Sequence, residues 1–138
     1  IVLYSQRISH YTPFEIIEIP DLKNAKNLSF DEQKKREGEL ILQKIDKTAT
    51  IVLLDDKGQH FTSIQFSQFL QNKLNTSTKE LVFVVGGPYG FSPEVYAAAQ
   101  SKISLSKLTF SHQIVRLLFV EQLYRAFSII NGEPYHHE

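Results

Sequence analysis

The 138-residue sequence contains no cysteine, which excludes disulfides and thiolate metal sites and fits a reducing, cytoplasmic setting. It also carries no net charge. Its 15 lysines and arginines balance 15 aspartates and glutamates, so no bulk field recruits a nucleic acid. Any RNA site has to be a local patch. No apolar run approaches the ~18 residues of a membrane span, and no secretory signal pattern is present, so no membrane partner is expected. Two phosphate-binding signatures are missing as well. There is no G-x-x-x-x-G-K-[ST], and the glycines do not follow G-x-G-x-x-G. Both absences point away from a polyphosphate ligand.

What is present is the composition of an ordinary globular chain, 42% hydrophobic and 22% charged, read as a single domain over residues 1–138. The opening "IVLYSQRISHY" reads as the second half of a helix, so sequence upstream of it is expected to be absent here. "FEIIEI" (14–19) alternates between Pro13 and Pro20 and predicts a strand. Ser29 and Glu32 form a capping box that opens a helix to about Ile45, with Leu40, Ile41 and Ile45 inward. "ATIVLLD" (49–55) predicts a short buried strand. Thr62 and Gln65 cap a helix whose face carries Phe66, Phe69, Leu70 and Leu74.

"ELVFVV" is the next buried strand. Ser92 with Pro93 starts a short helix through about Gln100, and "ISL" is a brief strand. "HQIVRLLFVEQLYRAFSII" is a long helix that stops at Asn131 and Gly132, with Pro134 beyond. Strands and helices alternate, which predicts an α/β fold with a mostly parallel sheet and helices on both faces. The last helix is apolar nearly all round, far more than the ~100° stripe of a surface helix. It needs two covers, and a second subunit is expected to supply one.

Directly after the strand "LVFVV" stands "GGPYG". Ligands of parallel sheets bind at the carboxyl ends of strands, and glycine lets a ligand approach bare backbone. A tight turn explains the same glycines without any ligand, and the local sequence leaves both readings open. If a ligand is there, adenine and ribose without phosphate suit the site best.

Here a resemblance enters. "GGPYG", "SLSKLTF-H", "EQLYRA" and "PYHHE" match the RlmH family in order, as do "FEIIEIPDLK", "KREGELIL" and "IVLLDDKG" upstream. The chain therefore resembles, along essentially its whole length, the SPOUT-superfamily enzymes that methylate N3 of a pseudouridine in bacterial 23S ribosomal RNA. Family members begin with a strand and a G-K-T-like turn that this sequence lacks, so the first strand is expected to be missing. The resemblance implies a C-terminal trefoil knot, which general connection rules would not suggest. It also implies a homodimer and S-adenosylmethionine as cofactor.

Carried over by position, the resemblance places the cofactor against Leu54, Gly86, Leu105, Ser106, Lys107, Leu108, Thr109 and Phe110. It places RNA against Arg125, Tyr135, His136 and His137. Plain core packing accounts for the leucines equally well, and Glu121 with Arg125 has the spacing of an ordinary helix ion pair. His112 and His136 are the candidates for a general base. Asp55 and Asp56 follow the "IVLL" strand and read as turn residues. Adjacent histidines without cysteine or well-spaced carboxylates do not make a metal site, so no metal is expected.

The tail from Tyr135 to Glu138 is expected to run extended, with too little apolar surface to order itself alone. It would complete the site of the partner subunit. Two other readings remain open at this point: a SPOUT methyltransferase with another RNA target, and a catalytically inactive dimeric RNA-binding module.

Overall fold

Alternate residues of the central strand serve two different cores. In the computed structural model, β1 (Thr50–His60) lies between β2 (Leu81–Val85) and β3 (Ser101–Ser104), all parallel, in the order β2-β1-β3. The structure describes residues 1–138 apart from Asp21, Lys23, Asn24, Ser77, Thr78, Gly87, Pro88, Thr109 and Glu138, and of His112 only the backbone. Five helices surround the sheet: α1 (Val2–Ser9), α2 (Phe30–Gln43), α3 (Ser63–Asn75), α4 (Pro93–Ala98) and α5 (His112–Ile130).

Val52 and Leu54 pack with Ile8, Phe66, Leu70, Phe119 and Leu123, from α1, α3 and α5. Ile51 and Leu53 pack instead with Val84, Phe91 and Val95, backed by Ile41 and Leu42 of α2. Strand side chains alternate between faces, so a continuous apolar run is what a strand covered on both sides requires. The expected fold class is the one observed.

The helix starts follow their caps. Ser29 Oγ accepts the Glu32 N–H, and Thr62 with Gln65 makes the full reciprocal box. Ser92 Oγ accepts the Val95 N–H, with Pro93 at the first helical position. α5 spans the predicted nineteen residues and stops where Gly132 takes a positive φ of 68°. The apolar face of α3 holds as far as Leu70, while Leu74 projects into solvent.

Three expectations need correction. "FEIIEI" is extended but joins no sheet among the described residues, and Ile16 and Ile17 are 42% and 54% exposed. Alternation and flanking prolines make a segment extended, but a strand also needs a neighbour with free backbone groups. Second, β1 runs on to His60 rather than ending near Asp55. It pairs with Ile103 at Leu54 and again at Gln59, after an excursion through residues 55–58. Gly58 lies against the β3 backbone there, where an added Cβ would stand 2.7 Å from Ile103 and Lys102 main-chain atoms. Third, α4 stops at Ala98 because Gln100 is recruited to the sheet. Its N–H donates to the Ile51 carbonyl (2.9 Å), and its side-chain oxygen accepts the Ile51 N–H (2.6 Å).

Candidate functional site

The register of the sheet gathers the expected cofactor residues at one edge. Leu54 pairs with Val85 on one side and Ile103 on the other, so Gly86, Leu54 and Leu105 come together where β2 and β3 end and β1 breaks its regular pairing. That is the edge at which parallel sheets bind ligands. The loop after β3 is tightly wound. Ser104 Oγ donates to the Ser106 carbonyl (3.0 Å), and Ser106 Oγ accepts the Leu108 N–H (3.0 Å). Leu108 is left 71% exposed, Lys107 is exposed, and Leu105 and Phe110 are half-buried. Thr109 lies outside the described residues. An exposed leucine beside a hydrogen-bonded loop suits the flat apolar face and polar rim of an adenosine group. Leu54 itself is buried in the core, so it offers such a group little more than its edge.

Gly86 has a reason beyond any ligand. A Cβ built on it would stand 2.8 Å from Cζ and 2.9 Å from Cε1 of Phe91, so the bare Cα is already packed against that ring. The Phe91 ring in turn meets Tyr96 edge-on at 5.8 Å. The Tyr96 hydroxyl donates to Asp55, the residue after Leu54. Burial pushes the Tyr96 phenol up, and its bond to the Asp55 carboxylate adds to that, to about 12. Burial opposes ionisation of Asp55. The Tyr96 hydroxyl, the Lys57 N–H, Asp56 and Lys102 outweigh it and hold the carboxyl below its usual range. Asp55 and Tyr96 thus tie the middle of β1 to α4. In sequence Asp55 reads as a turn residue, because its partner lies 41 positions away.

A second cluster lies at the far end of α5. Arg125 donates from Nε (3.1 Å) and Nη2 (2.6 Å) to Glu121 Oε1, and from Nη1 to His136 Nδ1 (3.0 Å). Its guanidinium stands 4.8 Å from the centre of the Tyr135 ring. The Tyr135 hydroxyl donates to Glu121 (2.9 Å) and lies 3.5 Å from that of Tyr4, while Tyr124 meets the ring at 4.6 Å. Burial, then the bonds to Tyr4 and Glu121, raise the Tyr135 phenol well above its ordinary range.

Tyr135 and His136 pack back onto α1 and α5, which give the tail the surface it was expected to need. Three of the four expected RNA residues come together here, and His137 stands exposed. An arginine offers only donors, so His136 Nδ1 accepts and the ring proton sits on Nε2. Nε2 is buried rather than turned to solvent. The side chain of His112 lies outside the described residues.

The two clusters sit at different levels of α5. The loop 105–110 leads into its start at His112, and the Tyr135 hydroxyl reaches back to Glu121, about 14 Å further along at 1.5 Å per residue. A surface depression of about 380 Å³ is lined by Lys57, Tyr96, Ala99, Gln100, Ser101 and Lys102 and contains none of the expected residues. It sits beside the amino end of β3, so the strand-end rule favours the other edge. Among the described residues, no three His, Asp or Glu are grouped to hold a metal, and no helix is long and apolar enough to cross a membrane.

A parallel three-stranded sheet flanked by helices, with its last helix apolar nearly all round, is the architecture of one particular α/β class. The chain belongs to the SPOUT methyltransferases: the family described as "Predicted SPOUT methyltransferase" matches residues 1–136. It is similar to the ribosomal RNA large subunit methyltransferase H of Parabacteroides distasonis, 62% identical over 135 residues, covering 98% of this chain and 86% of that one. The protein of the same name from Christiangramia forsetii is 58% identical over 137 residues, covering 99% and 87%. That from Bacteroides thetaiotaomicron is 55% identical over 135 residues, covering 98% and 86%.

Proposed function

We propose that this protein methylates the RNA of the large ribosomal subunit, at N3 of a pseudouridine in 23S rRNA, as a cytoplasmic homodimer acting on RNA in the ribosome. Its methyl donor is S-adenosylmethionine, held at the strand-end edge by Leu54, Gly86 and the segment 105–110. The observation that supports this most is the convergence of Leu54, Gly86 and Leu105 where β2 and β3 end and β1 breaks its regular pairing. The resemblance adds the trefoil knot of the C-terminal elements to this reading.

S-adenosylmethionine supplies an electrophilic methyl group. Bound against Leu54, Gly86 and the segment 105–110, it would offer that methyl group to the target nitrogen, whose N3 proton would pass to a base or to water. The protein's part is chiefly alignment. Holding two reactants in line contributes ~7–11 kcal/mol, whereas a general base adds ~10²–10⁴-fold, about 3–5 kcal/mol. Leu105 and Leu108 would wall the adenosine group, and the backbone at Gly86 would lie along it. Tyr135, His136 and Arg125 would form the surface that meets the RNA.

Within one chain the tail packs at the level of Glu121, on the stripe that continues from Ile114, Leu117 and Leu118. Two α5 helices packed antiparallel would set the tail of one beside the loop of the other. Ile114, Leu117 and Leu118, which are 49%, 42% and 38% exposed, are the surface for that packing. Ribosomes from a strain lacking the gene, incubated with the protein and S-adenosylmethionine, should gain one methyl group at one pseudouridine by mass mapping. A methyl group on a different nucleotide would replace the target. None at all, with the cofactor bound, would favour an RNA-binding module.

A further inference from the structure

On the surface shared by α1, α5 and the tail, the cation best placed to meet RNA is not the one the sequence singles out. Arg125 is already engaged: Glu121 takes two of its donors and His136 a third. An arginine so neutralised holds the cluster together but offers little net charge to a phosphate. Arg7 is different. It is exposed on α1, and its guanidinium carbon lies 5.4 Å from the centre of the Tyr124 ring and 6.0 Å from that of Tyr4. Among the described residues no carboxylate forms a salt bridge with it.

Those two rings connect Arg7 to the tail. Tyr4 and Tyr124 stand 5.8 Å apart, Tyr124 meets Tyr135 at 4.6 Å, and Tyr4 lies 3.5 Å from the Tyr135 hydroxyl. Stacking against aromatic rings holds a guanidinium in place without neutralising it, since the attraction is to the ring quadrupole. It leaves the N–H fork free for an anion, and planar bidentate recognition of phosphate is what that fork does best. A protein of zero net charge needs such a fixed, uncompensated cation wherever it meets a polyanion.

We propose that Arg7 is an RNA-contacting residue. Held on Tyr4 and Tyr124, it grips a backbone phosphate of the strand whose target base is presented to Tyr135 and His136. This rests on the rRNA reading above and extends the RNA surface from the tail onto α1. Arg125 then acts as a positioning residue that fixes Tyr135 and His136, with Arg7 supplying the charge.

The test compares wild type, Arg7→Gln and Arg7→Lys for binding to ribosomes from a strain lacking the modification, across a range of potassium chloride concentrations. Cofactor affinity and thermal stability are measured alongside. Each phosphate contact contributes about 0.7–0.9 to the slope of log affinity against log salt. Arg7→Gln should shallow the slope by roughly that amount and weaken binding about tenfold at low salt. S-adenosylmethionine affinity and melting temperature should stay unchanged. Arg7→Lys should restore the slope while recovering only part of the affinity, because lysine keeps the charge without the planar fork.

A merely structural Arg7 would lower the melting temperature and leave the slope alone. That result overturns the inference, as does an Arg7→Gln protein with wild-type slope and affinity. Wild-type binding that ignores salt would mean the surface docks on ribosomal protein, which also overturns it. Failure of the wild type to bind ribosomes would overturn the rRNA reading itself, and the assignment of Arg7 with it.

Discussion

The two halves of α5 have the same apolar character but different surroundings. In the C-terminal half, Phe127 stacks on Tyr11 at 5.4 Å, Tyr124 sits between Tyr4 and Tyr135, and Glu121 and Arg125 are tied to the tail. The Tyr11 hydroxyl donates to Glu133 (2.6 Å) just beyond the helix. The N-terminal half leaves Ile114, Leu117 and Leu118 open. Beside it, Arg116 bonds Glu18 (3.1 Å) of the extended segment that exposes Ile16 and Ile17. Apolar girth alone does not say whether a helix is covered by its own tail or by another chain. Here the tail covers one half, so the case for a second subunit narrows to the other. Positions 114, 117 and 118 also share a face with 121 and 125, so the open stripe leads directly into the cluster of Glu121, Arg125 and Tyr135.

The sharpest way to break this comparison is in the covered half. Replacing Tyr135 or His136 with alanine should cut methyl transfer a hundredfold or more, as loss of alignment typically does. Cofactor affinity by calorimetry should remain that of the wild type. In the open half, Leu118→Glu should give monomers by sedimentation, and methyl transfer should disappear with the dimer. Leu74→Glu is the matched control, because Leu74 is 46% exposed on α3, away from that stripe. It should leave the dimer intact.

A smaller effect separates the two reasons for Gly86. Gly86→Ala drives a methyl group into the Phe91 ring and should destabilise the fold by about 1–3 kcal/mol. Adding Phe91→Leu should recover most of that stability. If the double variant still binds S-adenosylmethionine at least tenfold more weakly than Phe91→Leu alone, ligand approach is a second reason for the glycine. Equal binding would leave core packing as the whole explanation.

The smallest effect is confined to alkaline solution. Burial, then the bond to the Glu133 carboxylate, raises the Tyr11 phenol to about 12, above the ordinary value of 10.0. The folded state therefore holds that proton more tightly than the unfolded state. The stabilisation is fully present below pH 10 and is lost as pH rises toward 12. Denaturant melts of Tyr11→Phe should run below the wild type at neutral pH by about 0.5–1.5 kcal/mol, the value of one hydrogen bond. The two curves should converge as the pH rises toward 12.

Much of the fold was legible because its signals are local. The Thr62–Gln65 box, Ser92 with Pro93, and the stop at Asn131 and Gly132 each fix a helix boundary within a few residues. "FEIIEI" misled because pairing is not local: a strand pattern gives the conformation and leaves the neighbour unspecified. The site divides the same way. The glycine loop and the serine-rich segment after β3 stand out in sequence. The Asp55–Tyr96 bond and the Arg7 stack on Tyr124 join residues far apart in the chain, so neither could be read before folding. The spacing of Tyr4 and Arg7, one helical turn apart, was a signal for part of the latter. Arg125 shows the reverse: its ion pair with Glu121, the plainer reading of the spacing, is the one observed.

The central claim is that each active site takes its cofactor wall from one chain and its tail from the other. Complementation between two disabled chains tests it most directly. Subunits carrying Leu108→Glu, which keep the tail, are mixed with Tyr135→Ala, His136→Ala subunits, which keep the cofactor wall. Each parent homodimer should be folded and inactive. Mixed dimers, verified by mass spectrometry, should recover methyl transfer in proportion to their abundance, because one of their two sites holds an intact wall and an intact tail. Verified mixed dimers that stay as inactive as their parents would contradict a site shared across the interface.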